Sequence, residues 1–297
     1  MYRKKYNLKK NDLLFLSRND LGYHNRKRII KGGMTKTRDD MKLFTEIENV
    51  LYKSLEEFFT KHGIKNDHNH IHALEIAKHA LKACLSDPSL TPDQVRWILL
   101  AAFLHDVDDD KLREETKTGE NENLRKLLTS TKYESDIKVV EELVGLVSSS
   151  KNGDRMDGRE EWMFIPRYSD RLDAIGMMGV ARTFAYTVGK KKPLYCYDTP
   201  RPTNLDEIYA VATEERYRAY KGKSRSMIDH CFDKLIRLGN YPIKNKYLVD
   251  LSKSLSQDVL DLVLVFGNQG KISVDDVQNF IKLRSPEVYF MMEIYKY

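Results

Sequence analysis

The chain is poor in the residues that staple or interrupt small folds. Its three cysteines, Cys84, Cys196 and Cys231, are scattered and odd in number, which excludes a disulfide framework and fits a reducing compartment. Only 8 Pro and 15 Gly occur in 297 residues, which excludes a low-complexity or disordered polymer. Long apolar runs are missing: the stretches near Leu99 and Leu262 fall far short of the roughly 20 residues that a membrane span requires. The N-terminus has no apolar segment ahead of a small-residue cleavage site, so no secretory signal is read and a cytoplasmic protein without membrane contact is expected. No alternating strand pattern and no Asn-Gly hairpin competes convincingly, and there is no internal repeat, which argues against a sheet or a solenoid.

What remains is a helical pattern with an uneven charge. Residues 1–32 hold ten Lys/Arg against Asp12 and Asp20, so this segment carries +8 in a chain whose net charge is +6. Such a basic arm attracts acidic partners, and weak nucleic-acid contact through residues 1–32 is one expectation for it; a solvated extension partly docked through Leu13–Leu16 is the plainer one. Gly32-Gly33 marks the clearest break. The expected organisation is a basic arm over 1–37, a helical body over 38–240, and a helical extension over 241–297 packed on the same body.

The spacing predicts helices at Met41–His62, with Phe44, Ile47, Leu51, Leu55 and Phe58 on one face, and from about Asn69 to Leu85. Thr91-Pro92-Asp93 is a strong start for a third helix, which ends at His105-Asp106. Further helices are expected at Glu120–Leu128, Tyr133–Ser149, Trp162–Val188 as one long element, Leu205–Tyr220, Ser226–Leu238, Tyr247–Phe266, Ser273–Leu283 and Glu287–Tyr295. The fold class is therefore all-α.

Three segments carry chemistry. Asn66-Asp67-His68-Asn69-His70-Ile71-His72 opens the second helix, and histidines at every second position cannot all face one point, so at most two share an ion. His105-Asp106-Val107-Asp108-Asp109-Asp110-Lys111 sets four carboxylates in five residues at a helix C-terminus, where acid is unfavourable without a cation or a sharp turn. In Asp170-Arg171-Leu172-Asp173-Ala174-Ile175-Gly176, Asp170 and Asp173 share a face among apolar neighbours and need partners there.

These segments resemble the HD-domain metal-dependent phosphohydrolases. The likeness is to the branch with His-Asp-x-x-His, Leu-His-Asp-x-x-Asp-x-Lys and Asp-Arg-Leu-Asp-Ala-Ile-Gly segments. It is carried by Leu104–Lys111, by Asp170–Gly176 with Ala181-Arg182-Thr183-Phe184, and by His230-Cys231-Phe232-Asp233-Lys234-Leu235, over roughly residues 45–240. The resemblance implies an HD-type helical bundle with additional C-terminal helices. It implies one divalent metal ion, Mn²⁺ or Mg²⁺ ahead of Co²⁺, Ni²⁺, Fe²⁺ or Zn²⁺, on His70, His105, Asp106 and Asp170. His70 is selected over His68 and His72 because Asp67-x-x-His70 matches the branch's spacing. Asn66 and Ala73 then depart from the pattern, at positions where His and Arg are usual. The resemblance further implies catalytic roles for Asp109, Lys111 and Arg171, with Arg182, His230 and Lys234 toward the substrate. The activity it implies is hydrolysis of a small phosphorylated substrate, a nucleotide or related ester, including a nucleoside triphosphate cut to monophosphate and pyrophosphate. The alternative is a catalytically weakened scaffold that binds nucleotide or nucleic acid through the basic arm.

Overall fold

The computed structural model describes residues 33–64, 68–109, 120–129 and 131–295, with side chains throughout except at 33–38, 149–150 and 293–295. The basic arm of residues 1–32, Asn66, Asp67 and Lys111 lie outside the described residues. Those described form an all-α protein without a strand. None of its helices is long and apolar enough to cross a membrane.

The first half is built around one helix. α1 (Gly33–Lys61) and α2 (His70–Leu85) lead to α3 (Pro92–Leu104), which is apolar on every side from Ile98 onward. Val95 and the whole run from Ile98 to Leu104 are buried, so α3 is surrounded by neighbours on all faces. Its start follows from local chemistry. Thr91 caps the Gln94 N–H, and the Gln94 side chain returns to the Thr91 N–H, closing a capping box ahead of Pro92. α1 lays Ile47, Leu51, Leu55 and Phe59 against this core, with Phe59 rather than Phe58 completing the stripe. α2 presents Ala73, Ala77, Ala80 and Ala83, small side chains that let it sit close to α3. α4 (Glu122–Leu128) and α5 (Ile137–Val147) pack farther along, and α6 (Ile165–Ala174) crosses α2, α3 and α5.

The long helix expected over Trp162–Val188 is two helices. A single 3₁₀ turn, Glu161–Phe164, precedes α6, and α6 stops at Ile175, whose backbone is extended. α7 (Gly176–Gly189) restarts at Gly176, which has φ +70°. A Cβ there would stand 3.1 Å from Leu255, so the kink needs glycine both for its backbone conformation and for its space. Hydrophobic periodicity runs through the break unchanged, which is why the sequence pattern reads as continuous. Two apolar cores meet at this joint: one reaches Ile175 from the N-terminal helices, and the other begins at Met177.

The helix expected over Leu205–Tyr220 is likewise divided, because Thr213 caps a new helix through the Arg216 N–H. α8 (Leu205–Val211) and α9 (Glu214–Ala219) result. α10 spans residues 227–238 and contains a π-helical turn at Cys231–Leu235. α11 (Lys246–Gln269), α12 (Val274–Arg284) and α13 (Pro286–Tyr295) complete the second core. α11 also touches α2 and α6, so it spans both cores.

The joint generates a test. Gly176→Ala is expected to destabilise the protein by about 1–3 kcal/mol, through left-handed backbone strain and the Leu255 contact. A lowered urea midpoint is the expected measurement, and an unchanged midpoint would show that the kink does not require glycine.

Candidate metal centre

Three helices bring their polar ends to one place in the first core. α3 ends at Leu104, and His105 and Asp106 follow on the turn that caps it. α2 contributes His72 from its first turn, and α6 contributes Asp170 and Asp173. The α2 terminus is set by Asn69, whose side-chain oxygen accepts from the Ile71 N–H at 3.0 Å and the His72 N–H at 3.1 Å.

Four atoms form a ring in which nitrogen and oxygen alternate. His72 Nε2 lies 3.6 Å from Asp106 Oδ2, which lies 3.3 Å from His105 Nε2. His105 Nε2 is 3.7 Å from Asp170 Oδ1, and Asp170 Oδ1 is 3.4 Å from His72 Nε2. Donors bonded to one small divalent cation at about 2.0–2.2 Å stand roughly 3.0–3.6 Å apart, so the ring already has the spacing of a coordination sphere. The other imidazole nitrogens are committed elsewhere. His105 Nδ1 donates to the Ala102 carbonyl at 2.9 Å, and His72 Nδ1 meets Asp173 Oδ2 at 3.2 Å. Both Nε2 atoms are buried and have no hydrogen-bond partner. A buried imidazole with one nitrogen held as donor and the other left open is the arrangement a metal ligand requires. These residues therefore fit a cation.

The charge balance points the same way. Burial works against a charged His72, but Asp170, Asp173 and Asp106 outweigh it and push its pKa up to about 10. His105 is raised against its burial by Asp106 and Asp170. Burial would raise the Asp106 carboxyl, yet His105 and His68 hold it well below the usual range; against its own burial, Asp170 is lowered by His72 and His105. The cluster thus demands positive charge, which either a proton or a metal ion can supply.

The expected ligands His105, Asp106 and Asp170 come together here. His70 does not. Its Nε2 is 3.8 Å from Glu56 Oε1, and its ring stands edge-on to Tyr52 at 5.2 Å. At about 100° per residue, two steps along a helix turn a side chain to nearly the opposite face, so His70 and His72 cannot share an ion. His72 takes the place assigned to His70. His68 also reaches this centre: its Nδ1 lies 2.8 Å from Asp106 Oδ2, which accepts from it. The signal that finds both is Asn69: a capping residue fixes where the helix begins and hence which histidine turns inward.

The remaining candidates fall in three places. Arg182 Nη1 donates to the Asp173 carboxylate at 3.0 Å and to its carbonyl at 3.1 Å, and so braces the acid behind His72. Arg171 is buried and turns away, donating to Asp154 at 2.6 Å and to the Gly153 carbonyl at 2.7 Å. Asp154 also receives Arg237 at 3.2 Å, so Arg171 ties α6 to the 153–154 turn and to α10 rather than standing ready for a phosphate. His230 and Lys234 lie together on α10 beside Lys192; burial and the two lysines push the His230 pKa down to about 4. Ser224 Oγ is 3.2 Å from His230 Nδ1. Asp109 sits on the turn after Asp106, its N–H donating to the Asp106 carbonyl at 3.2 Å. Asp108 instead caps α4, accepting from Asn123 and from the Leu124 N–H at 2.9 Å. Ala73, at the position where the resemblance implies an arginine, is buried in the apolar core.

No family model matches the sequence. The chain is similar to the uncharacterized protein L803 of Acanthamoeba polyphaga mimivirus, at 34% identity over 240 residues, covering 75% of this chain and 97% of that protein. It is similar in fold to a structural-genomics crystal structure from Lactobacillus plantarum, with TM-score 0.52 and 16% identity over 82% of this chain and 99% of that one. The Lin1889 protein of Listeria innocua gives TM-score 0.49 and 18% identity, over 79% and 98% of the two chains. At these identities the likeness to the Lactobacillus structure is one of fold alone.

Two tests follow from the geometry. His72→Ala is expected to abolish binding of Mn²⁺ while His70→Ala retains it, as read by metal analysis; the reverse result would restore His70 as the ligand. Because a cation must displace the proton that His72 holds up to about pH 10, Mn²⁺ affinity should climb as pH rises from 6 toward 9. Calorimetry in buffers of different ionisation enthalpy should show proton release, and a pH-independent affinity would remove His72 from the site.

Proposed function

We propose that this chain, which belongs to the same family as the mimivirus protein L803, is a metal-dependent phosphohydrolase of the HD-domain type. The observation that carries the reading is the alternating ring of His72, Asp106, His105 and Asp170 with its two open, buried Nε2 atoms. The corrected ligand also improves the match of the first segment. Read from His72, the segment is His68-Asn69-x-x-His72 beside the branch's His-Asp-x-x-His. The first histidine is then present and Ala73 is an ordinary core position; the arginine position moves with the frame to Glu75, which is one departure, and the other is Asn69 for Asp. Its capping role needs a side-chain acceptor and no charge, so asparagine serves.

His72, His105, Asp106 and Asp170 would hold one divalent ion, and a mixed nitrogen–oxygen set suits Mn²⁺ or Mg²⁺. Such an ion supplies Lewis acidity toward a phosphoryl oxygen and activates water near neutral pH. The protein supplies the rest. Asp173 and Arg182 fix the His72 ring, and the Ala102 carbonyl fixes that of His105. In hydrolysis the water oxygen bonds to phosphorus, the bridging P–O bond breaks, and one water proton ends on the leaving oxygen. Asp109, three residues after Asp106, is assigned that proton transfer. Lys111 is assigned to the phosphate, with Lys234 of α10 and Lys192 as a further cationic pair beside His230. The substrate class is a nucleotide or related phosphate ester, with cleavage of a nucleoside triphosphate to monophosphate and pyrophosphate as the leading reaction.

A panel of ribo- and deoxyribonucleoside triphosphates, assayed with Mn²⁺ and with Mg²⁺ and resolved by chromatography, tests the reading. Turnover is expected to vanish with chelator and return with metal. Asp109→Asn is expected to keep the ion and lose turnover by about 100-fold or more. Absence of hydrolysis across the panel by the Mn²⁺-loaded protein would sink the proposal.

A further inference from the structure

A cavity of about 550 Å³ lies between α8, α10 and α11, and none of its lining residues belongs to the His/Asp ring. α11 lines it from Val249 to Leu260 at mostly three- and four-residue steps, with one face. That stretch of helix is roughly 16 Å long, so the cavity is a trough that suits an extended ligand. Its two ends differ in chemistry. α10 and α11 meet where Ser252 Oγ donates to the Gly239 carbonyl at 2.6 Å, and Arg237, Asn240 and Lys253 line the trough around that contact. One turn away on each helix the walls are Leu235 and Leu260, with Ala212 of α8 beside them, all buried. At the edge, Leu205 and Tyr209 of α8 are large apolar side chains left exposed.

The charge of the trough is one-sided. Arg237 and Lys253 line it, and among the described residues no Asp or Glu does. Arg237 is only partly neutralised: its Nη2 donates to Asp154 at 3.2 Å, but the same carboxylate accepts from Arg171 at 2.6 Å. The Arg237 Nε is buried without a hydrogen-bond partner, and so is the Ser256 hydroxyl of the same wall. Buried polar atoms are ordinarily paired, so this wall is short of acceptors. We propose that the trough binds a small amphipathic anion, free in solution: a medium-length acyl chain laid along α11, with its carboxylate at the Arg237–Lys253 end. The carboxylate oxygens accept from the guanidinium and the ammonium, and the chain covers the aliphatic wall together with exposed Leu205. The chemistry selects the occupant. A neutral lipid leaves the two cations without a counter-charge, and an anion without an apolar body leaves the aliphatic end wet. The site stands apart from the phosphohydrolase reading, because the trough and the metal ring share no residue.

Calorimetric titration of the full chain with decanoate tests the site. One decanoate per chain is expected. Octanoate should bind roughly 10-fold more weakly, because two methylenes no longer cover the apolar wall. Decanol and decyltrimethylammonium should each bind at least about 10-fold more weakly than decanoate, because neither offers an anion to the two cations. Lys253→Glu reverses an exposed charge outside the core and is expected to weaken decanoate about 5-fold. Arg237→Gln should weaken it about 10-fold or more, with Arg237→Lys recovering part of the loss. Because Arg237 also holds Asp154, the melting temperature of both Arg237 variants is measured alongside, and the Lys253→Glu result stands whether or not they fold. Absence of saturable decanoate binding to the wild type would overturn the proposal. So would decanol binding as tightly as decanoate, or a Lys253→Glu protein that binds decanoate as tightly as the wild type.

Discussion

Three carboxylates, Asp106, Asp170 and Asp173, converge on one buried imidazole, His72, and the rest of the structure is arranged around the cost of that convergence. Carboxylates so close together repel, and burial penalises each of them. The protein offsets part of this locally: Arg182 takes Asp173, and His68 takes Asp106. What remains is a deficit of positive charge at the ring centre, expressed in the raised pKa values of His72 and His105. A divalent ion would fill that deficit without adding bulk, which is why the cluster reads as a metal centre and not as a salt-bridge network.

The helical scaffold makes this arrangement sustainable. α3 is apolar on all sides from Ile98 to Leu104, so its C-terminus lies in the interior, where a polar pair would ordinarily be avoided. α2 and α6 flank it, each contributing side chains from one face only. α6 is bolted by two buried arginines: Arg167 reaches the Leu146 and Arg155 carbonyls, and Arg171 reaches Asp154. Arginine suits this work because several donors on a rigid plane satisfy separate acceptors at once. The kink at Gly176 then lets the chain leave α6 and begin the second core, with α11 passing back across α6 and α2 to join the two.

Much of this was legible in the residues. Helix periodicity, the Thr91 cap and the apolar run ending at His105 placed the elements around the centre, and Asp170 with Asp173 announced a shared face three residues apart. Where the structure differs from what the residues suggest, the cause is angular or conformational. The Asp-x-x-His spacing points to His70, whereas the start of α2 at Asn69 turns His72 inward and His70 toward Glu56. The resemblance implies a catalytic role for Arg171, yet adjacent residues on a helix diverge by about 100° and its partner is Asp154. The Ile175-Gly176 break was invisible because apolar residues continue on both sides of it.

The sequence by itself determined the all-α class, the His and Asp make-up of the candidate metal centre and the order in which its members occur. These are local properties: periodicity, capping and the chemistry of side chains act over a few residues. Tertiary structure alone decided which of three neighbouring histidines joins the ring and which one faces solvent. It also decided that Asp173 and Arg182 stand behind His72, and that Arg171 serves the fold. Those outcomes depend on the rotation of each helix against its neighbours, and that rotation is set by the packing of the α2 alanines, α3 and α6 around a shared core, across separations of thirty to a hundred residues.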